Sequence, residues 1–179
     1  MILRLRFLVY LLLALFRPRI GVLESSSIRL RVLPNDVDVR RLANDRYLAY
    51  MGLGRVDLLV RLGIARQLAA AMPFVRVLSI RYRHPARLMQ RLELRTRVVC
   101  WSETTGWIEQ QFFAEGQSIA LAYCEMDLRT AAGGRTVSEL LSDLGHTGLA
   151  SPEAPPLIGV LMEQEKIMQQ IERSASNRP

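Results

Sequence analysis

One long helical period stands between a single strand pattern and four closely spaced ones, and that order restricts the fold more than any other feature. From Asn44 the spacing steps by three and four, setting Tyr47, Leu48, Met51, Arg55, Leu58, Leu59 and Leu62 near one stripe. Arg46, Asp57 and Arg61 fall toward other faces. Asn44 suits an N-cap and Gly63 a C′ position, so this helix is expected to run ~28 Å. Gly52 and Gly54 inside it each cost about 1 kcal/mol relative to alanine, which makes sense where a sheet or a ligand chain comes close.

Before the helix, Ser27 to Leu33 alternates, with Ile28, Leu30 and Val32 on one face and Arg29 and Arg31 on the other. Pro34 and Asn35 end that strand with turn chemistry. Ile64 to Ala71 reads as a second short helix stopped near Pro73. Val75 to His84, Leu92 to Trp101, Trp107 to Ala114 and Ser118 to Arg129 then read as strands, and Gly133-Gly134 closes the unit. Their links are short enough for antiparallel neighbours, and Trp101 and Trp107 suit a cross-strand aromatic pair. Ala120, Ala122 and Cys124 form a small-residue face over which a helix can lie closely. A single helix buries its stripe against such a meander only if the sheet curls around it. The fold class is therefore α+β.

Two segments flank this unit. Phe7 to Phe16 is continuously apolar between Arg4 and Arg6 on one side and Arg17-Pro18-Arg19 on the other. Ten helical residues rise ~15 Å, about half the ~30 Å hydrocarbon thickness of a bilayer. Three readings fit: a retained membrane-surface or short anchoring helix with flanks favouring the cytoplasmic side, a secretory signal, or a helix packed on the domain or a dimer partner. No small-x-small cleavage site follows, which places the signal reading second. At the other end, Thr136 to Leu144 opens with a capping box of Thr136 and Glu139. A Pro-rich linker, Ser151 to Pro156, leads to an amphipathic helix over Leu157 to Arg173. The expected division is a membrane-associating segment over 1–23, a domain over 24–146, and a linker with a terminal helix over 147–179.

Composition narrows the chemistry. The net charge is +7 and Lys166 is the single lysine, so the basic groups are arginines, suited to phosphates and carboxylates. No long basic tract marks a nucleic-acid module. Cys100 and Cys124 lack CxxC or Cys/His clustering, and His84 and His146 are too few for a multi-histidine metal centre. No metal or other cofactor is expected. The remaining chemistry concentrates in Pro34 to Arg55. Asp36 and Asp38 precede the helix and Asp45 lies in its first turn, where backbone N–H groups point outward. A carboxylate beside such donors is a workable start for acyl chemistry, and equally an ordinary turn or cap. His84, at a strand end before Pro85, suits a surface or turn residue better than a catalytic base.

Over roughly Ser26 to Leu144 the chain resembles the hot-dog acyl-CoA thioesterases, the hydroxybenzoyl-CoA thioesterase-like group, in the branch with a short hydrophobic N-terminal segment. The resemblance lies in Val32–Val39, VLPNDVDV, Asn44–Leu48, NDRYL, and Gly54–Gly63, GRVDLLVRLG, with Ile80–Trp101 matching a strand pair and its turn. It implies a hot-dog fold, a curved antiparallel sheet wrapped around a long central helix, with N-terminal and C-terminal helices added. It further implies a homodimer joined sheet edge to sheet edge, with sites beside each helix N-terminus, and hydrolysis of a fatty or aromatic acyl-CoA. A non-catalytic acyl-CoA- or lipid-binding, or membrane-attached interaction, protein is the alternative. By position Asp38 matches the family's aspartate, base or nucleophile, with Asp36 and Asp45 as substitutes. Asn44 and Tyr47 match its asparagine and tyrosine, the acyl chain lies along the helix past Arg55, and Arg81 and Arg83 face coenzyme A phosphates. Arg87 and Arg91 are further candidates for those phosphates. The stretch Arg41 to Tyr47 departs from the family pattern: the histidine and first asparagine are missing, and one residue is lost between Asp38 and Tyr47.

Overall fold

The computed structural model describes residues 2–65, 73–128 and 136–176. Five strands form one antiparallel sheet in the order β1-β5-β6-β7-β4: β1 (Ser26–Arg31), β4 (Phe74–Tyr82), β5 (Arg91–Trp101), β6 (Thr105–Ala114) and β7 (Gln117–Asp127). Between β1 and the central helix α2 (Asn44–Leu62) the chain makes a single turn at Pro34–Asp36 and a small hairpin of β2 (Val37–Asp38) and β3 (Arg41–Leu42). An N-terminal helix α1 (Ile2–Leu15) precedes the sheet, and α3 (Val137–Asp143) and α4 (Pro156–Ser176) follow it. The expected succession of one strand, a long helix and four strands is the observed one. Only β5-β6-β7 form a meander: β4 crosses to the far edge and pairs with β7, so Ile80–Trp101 is not a strand pair joined by its turn. The second short helix expected over 64–71 falls mostly, and Gly133-Gly134 wholly, outside the described residues.

The helix α2 is buried from both sides. Its apolar residues pack on the inward face of the sheet, where Leu94, Phe112, Ala120 and Ala122 are fully enclosed. Gly54 marks the closest approach, since a Cβ there would sit 2.6 Å from the Thr96 hydroxyl and 3.0 Å from the Gln110 amide nitrogen. Gln110 is itself buried and donates to the Met51 carbonyl at 2.9 Å, joining helix to sheet. Gly52, by contrast, has only the Arg55 guanidinium within contact distance. Gly63 ends the helix in the left-handed region, with φ +85°, as its position implies.

Three local expectations are corrected. Ala43, not Asn44, is the N-cap; it offers no side-chain acceptor, and Asn44 is already helical. Asp57 and Arg61 point inward rather than out, because α1 and the segment after it cover the face of α2 turned away from the sheet. Trp101 and Trp107 are not paired: a register shift between Val98 and Cys100 sets Trp107 opposite Cys100 and Trp101 opposite Gly106. Trp107 then packs with Ile158 and Leu161 of α4, while Trp101 lies in the cluster around α3.

The helix α1 is packed on the domain, with a free outer side. Arg6, Tyr10 and Ala14 face inward at helical spacing, and the Tyr10 hydroxyl donates to the Arg29 carbonyl of β1. Arg6 also reaches the Arg31 carbonyl at 3.5 Å, so α1 occupies the edge of the sheet that β1 would leave open. Leu8, Leu12, Leu15 and Phe16 remain exposed on the outer side. Among the described residues no helix is long and apolar enough to cross a membrane.

The two interior glycines of α2 separate in a thermal melt. Gly52→Ala should raise stability by about 1 kcal/mol through helix propensity. Gly54→Ala should lower it by ~1–3 kcal/mol, because the new methyl displaces Thr96 and Gln110. Equal effects from both substitutions would mean that α2 does not approach the sheet at Gly54.

Candidate active site

The two aspartates ahead of α2 have separate environments. The turn Pro34–Asp36 swings Asp36 into the interior, where it is 1% exposed. Its carboxylate receives a two-pronged contact from Arg6, at 2.9 Å to Oδ1 and 2.8 Å to Oδ2. The Tyr50 hydroxyl and the Leu33 amide each donate to Oδ2 at 2.8 Å. Burial alone would raise the Asp36 pKa, but hydrogen bonds from Arg6, the Leu33 amide and Tyr50 outweigh it and hold the carboxyl below its ordinary value. The same burial, with the hydrogen bond to Asp36, pushes the Tyr50 phenol well up, so it stays a donor.

Asp38 lies two residues on, exposed, in the β2–β3 hairpin and opposite Arg41. Its carboxylate has no hydrogen bond or ion pair among the described residues. The hairpin closes through Val39, whose φ of +55° is costly for a β-branched residue.

The N-terminus of α2 opens on a cavity of about 210 Å³. Asn44, Tyr47, Arg41 and Arg83 line it, together with His84 and Tyr82. Tyr47 is buried and meets Tyr82 edge to face at 5.0 Å, and its hydroxyl accepts from the Ala86 amide at 3.3 Å. Burial raises the Tyr47 pKa. Ala43 supplies no side-chain cap; its carbonyl accepts from the Arg46 amide at 3.0 Å, so the Asn44 and Asp45 amides are the first-turn donors left without a cap from that residue. Such amides can polarise a carbonyl or hold an oxyanion. A second hollow of about 450 Å³ adjoins through Arg41 and Pro85 and adds Arg40 and Arg87.

Of the residues singled out from the sequence, Asn44, Tyr47 and Arg83 come together in one cavity. Asp38 reaches it only through its strand partner Arg41. Asp36 is buried beside α1, and Asp45 is exposed and lies 3.4 Å from Arg46. Arg55 is two to three turns along the helix, donating to Gln110 at 2.9 Å, and Arg81 is exposed on β4. Arg91 lies on β5, away from this cavity. His84, read from the sequence as a surface residue, is exposed and lines the cavity. Its position after β4 and before Pro85 carries the signal, once the last residues of β4 are known to meet the start of α2. No group of three or more His, Cys, Asp or Glu side chains suited to a metal occurs among the described residues.

Removing Arg6 leaves the Asp36 charge buried and uncompensated, so Arg6→Met should cost ~3–5 kcal/mol in a denaturant titration. The pH dependence has a fixed sign. A folded-state pKa below the reference value of 3.8 means that the unfolded chain binds more protons, so the Asp36 contribution is present above that value and lost as pH falls through the lowered folded pKa. Melts of wild type from pH 7 down to 3 should show this late loss. Arg6→Met removes the main group that lowers this pKa and leaves burial to raise it, so the acid loss should shrink or reverse, and identical profiles would mean that the pair is not formed.

A family model, the Thioesterase-like superfamily, matches residues 32–157. Protein THEM6 of Xenopus laevis is 29% identical over 128 residues, 69% of this chain and 60% of that protein, so the chain spans less than two thirds of this relative's length. The YbaW probable thioesterase of Escherichia coli superposes with a TM-score of 0.57 at 23% identity, over 67% of this chain and 96% of that one. A hypothetical thioesterase protein from Streptococcus pneumoniae, crystallised with coenzyme A, gives 0.52 at 14% identity, over 63% and 84% of the two chains. These likenesses identify the architecture as the hot-dog fold. With the family match extending over more than half of its length, the chain belongs to the thioesterase-like superfamily.

Proposed function

We propose that this protein is an acyl-CoA thioesterase that hydrolyses a fatty or aromatic acyl-CoA at the N-terminus of α2. The observation that carries the reading is the convergence of Asn44, Tyr47, Arg83 and His84 on one cavity at an uncapped helix start, beside a hairpin bearing a free carboxylate. The thioester carbonyl sits over the first-turn amides of α2. Asp38 takes a proton from water, the oxygen adds to the carbonyl, and the oxyanion is held by those amides. Collapse breaks the carbon–sulfur bond and releases the coenzyme A thiol with the proton. Asp36 has its charge compensated by Arg6, so it positions the loop. Arg83 with Arg40, Arg41 and Arg87 offers guanidinium groups to the phosphates of coenzyme A, and Arg81 extends the same basic surface along β4.

Two further parts belong to this reading. Because α1 occupies the β1 edge, β4 is the open edge of the sheet among the described residues, with Leu78 and Tyr82 exposed along one face. Two copies pair through β4, which sets Tyr82 to Pro85 of each against its partner. The outer side of α1, Leu8, Leu12, Leu15 and Phe16, lies in a membrane interface on the cytoplasmic side. In this arrangement α1 is held inward by Arg6 and Tyr10 while its outer residues meet lipid.

Release of free thiol from a panel of acyl-CoA esters tests the chemistry. Asp38→Asn should lower kcat by 10²-fold or more with little change in Tm. Asp36→Asn should act mainly through stability, and Asp45→Asn should be close to wild type. No turnover with acyl-CoA binding retained would establish the non-catalytic alternative, and loss of turnover in Asp45→Asn alone would move the base to that position. Sedimentation velocity tests the assembly: Leu78→Glu should convert a dimer to a monomer, and an unchanged dimer would place the interface elsewhere.

A further inference from the structure

Three arginines converge on the outward face of the sheet, away from α2, at the end of the sheet beside α1. Arg29 and Arg31 come from β1 and Arg91 from β5, and the strand register sets Arg31 directly opposite Arg91. Like charges in opposed positions disfavour strand pairing. Neighbouring arginines on this face are neutralised, Arg95 by Glu93 and Arg97 by Glu109, both at 2.8 Å. Arg31 and Arg91 have no such ion pair among the described residues, while Arg29 stands opposite Glu93, a carboxylate already held by Arg95, and adds to the charge that keeps that carboxyl below its ordinary value. They line a groove of about 620 Å³ that Tyr10 and Phe113 flank. Its two carboxylates are already engaged, Glu93 by Arg95 and Ser27, and Glu115 by the Gln90 amide at 3.2 Å.

The groove continues into an apolar surface. A hollow of about 530 Å³ shares Tyr10 and Arg29 with it and runs on to Leu13 and Arg17. Leu13 belongs to the exposed flank of α1 with Val9, Leu12 and Phe16, the last 88% exposed. Guanidinium groups thus adjoin a helix side built for hydrocarbon. A nucleic acid or a free nucleotide would meet the arginines and leave the helix flank wet. An amphiphile with a phosphate head and an acyl tail satisfies both. We propose that Arg29, Arg31 and Arg91 form a site for the phosphate headgroups of anionic phospholipids, which lets this protein select anionic membranes. The inference rests on the reading that α1 lies in a membrane interface, and adds to it a lipid preference held by residues outside α1.

Flotation of the intact protein with vesicles tests this, using phosphatidylcholine alone and phosphatidylcholine mixed with phosphatidylglycerol. Wild type should prefer the mixed vesicles, with the preference shrinking as salt rises. Substituting Arg29→Gln, Arg31→Gln and Arg91→Gln together should lower partitioning onto the mixed vesicles by about 100-fold, given the usual contribution of a basic residue at an anionic surface. Binding to pure phosphatidylcholine should stay unchanged. A control with Arg40→Gln, Arg87→Gln and Arg173→Gln has the same net charge and should keep most of the preference. Thermal melts of both triple variants confirm folding. A groove variant that keeps the wild-type preference, or a control that loses as much, overturns the headgroup site and leaves the α1 reading standing. Leu8→Ser with Leu12→Ser should weaken binding to both vesicle types, and no effect there overturns the α1 reading itself. Wild type bound to neither vesicle overturns both.

Discussion

The contact on which the rest of this structure depends is the buried grip of Arg6 on Asp36. It is formed between residues thirty positions apart, and it fixes three things together. It anchors α1 against the domain, it sets the turn after β1, and it orients Tyr50 of α2 through the shared Oδ2 atom. A paired buried charge is weak evidence for net stability, since desolvation offsets most of the attraction. Its consequence is specificity. Any other position of α1 would strand a carboxylate in a dry interior. A second ion pair repeats the arrangement toward the far end of α2, where Arg17 meets Asp57 at 3.0 Å and Ser26 hydrogen-bonds the same carboxylate.

Those two pairs explain why α2 departs from a simple amphipathic helix. The sheet takes one side through Gly54, Met51 and Leu58, and α1 with the segment after it takes the other. Polar residues on the second side are buried with partners rather than hydrated. The arrangement also closes the β1 edge of the sheet, because Tyr10 and Arg6 reach the outward carbonyls of Arg29 and Arg31. An edge so covered is unavailable for pairing, and β4 forms the opposite edge of the sheet. The apolar residues of α1 that do not serve this packing are the ones that face outward.

What the sequence made legible was local. The bounds of α2, the Gly63 terminus, the Thr136 capping box and the strand alternations each follow from spacing and cap chemistry within a few residues. The order of those elements was enough to require a sheet curled about one helix. The inward role of Asp57 was not legible, because its partner Arg17 lies forty positions away, behind an apolar run whose flanking arginines look like membrane-facing charges. The Trp101–Trp107 expectation failed on a one-residue irregularity in β5, which no periodicity reports. His84 was discounted for its place at a strand end, yet that strand end is what meets the start of α2. Ala43 as N-cap was hidden by the better capping residue immediately after it.

The site itself shows why position alone did not assign the aspartates. Asp36 and Asp38 are two residues apart, and on a short extended stretch such residues would share a face. The turn at Pro34–Asp36 breaks that relation, sending one carboxylate inward to a cation and leaving the other in solvent. An acid locked by Arg6, Tyr50 and a backbone amide resists protonation, and it cannot swing to meet a substrate without leaving its partners unpaired. It is thereby a poor base and a good anchor. Asp38 is exposed and without such partners, on a hairpin that holds Val39 in a left-handed conformation. Since Arg6 fixes the turn from which that hairpin departs, α1 positions the hairpin without lining the cavity at the start of α2.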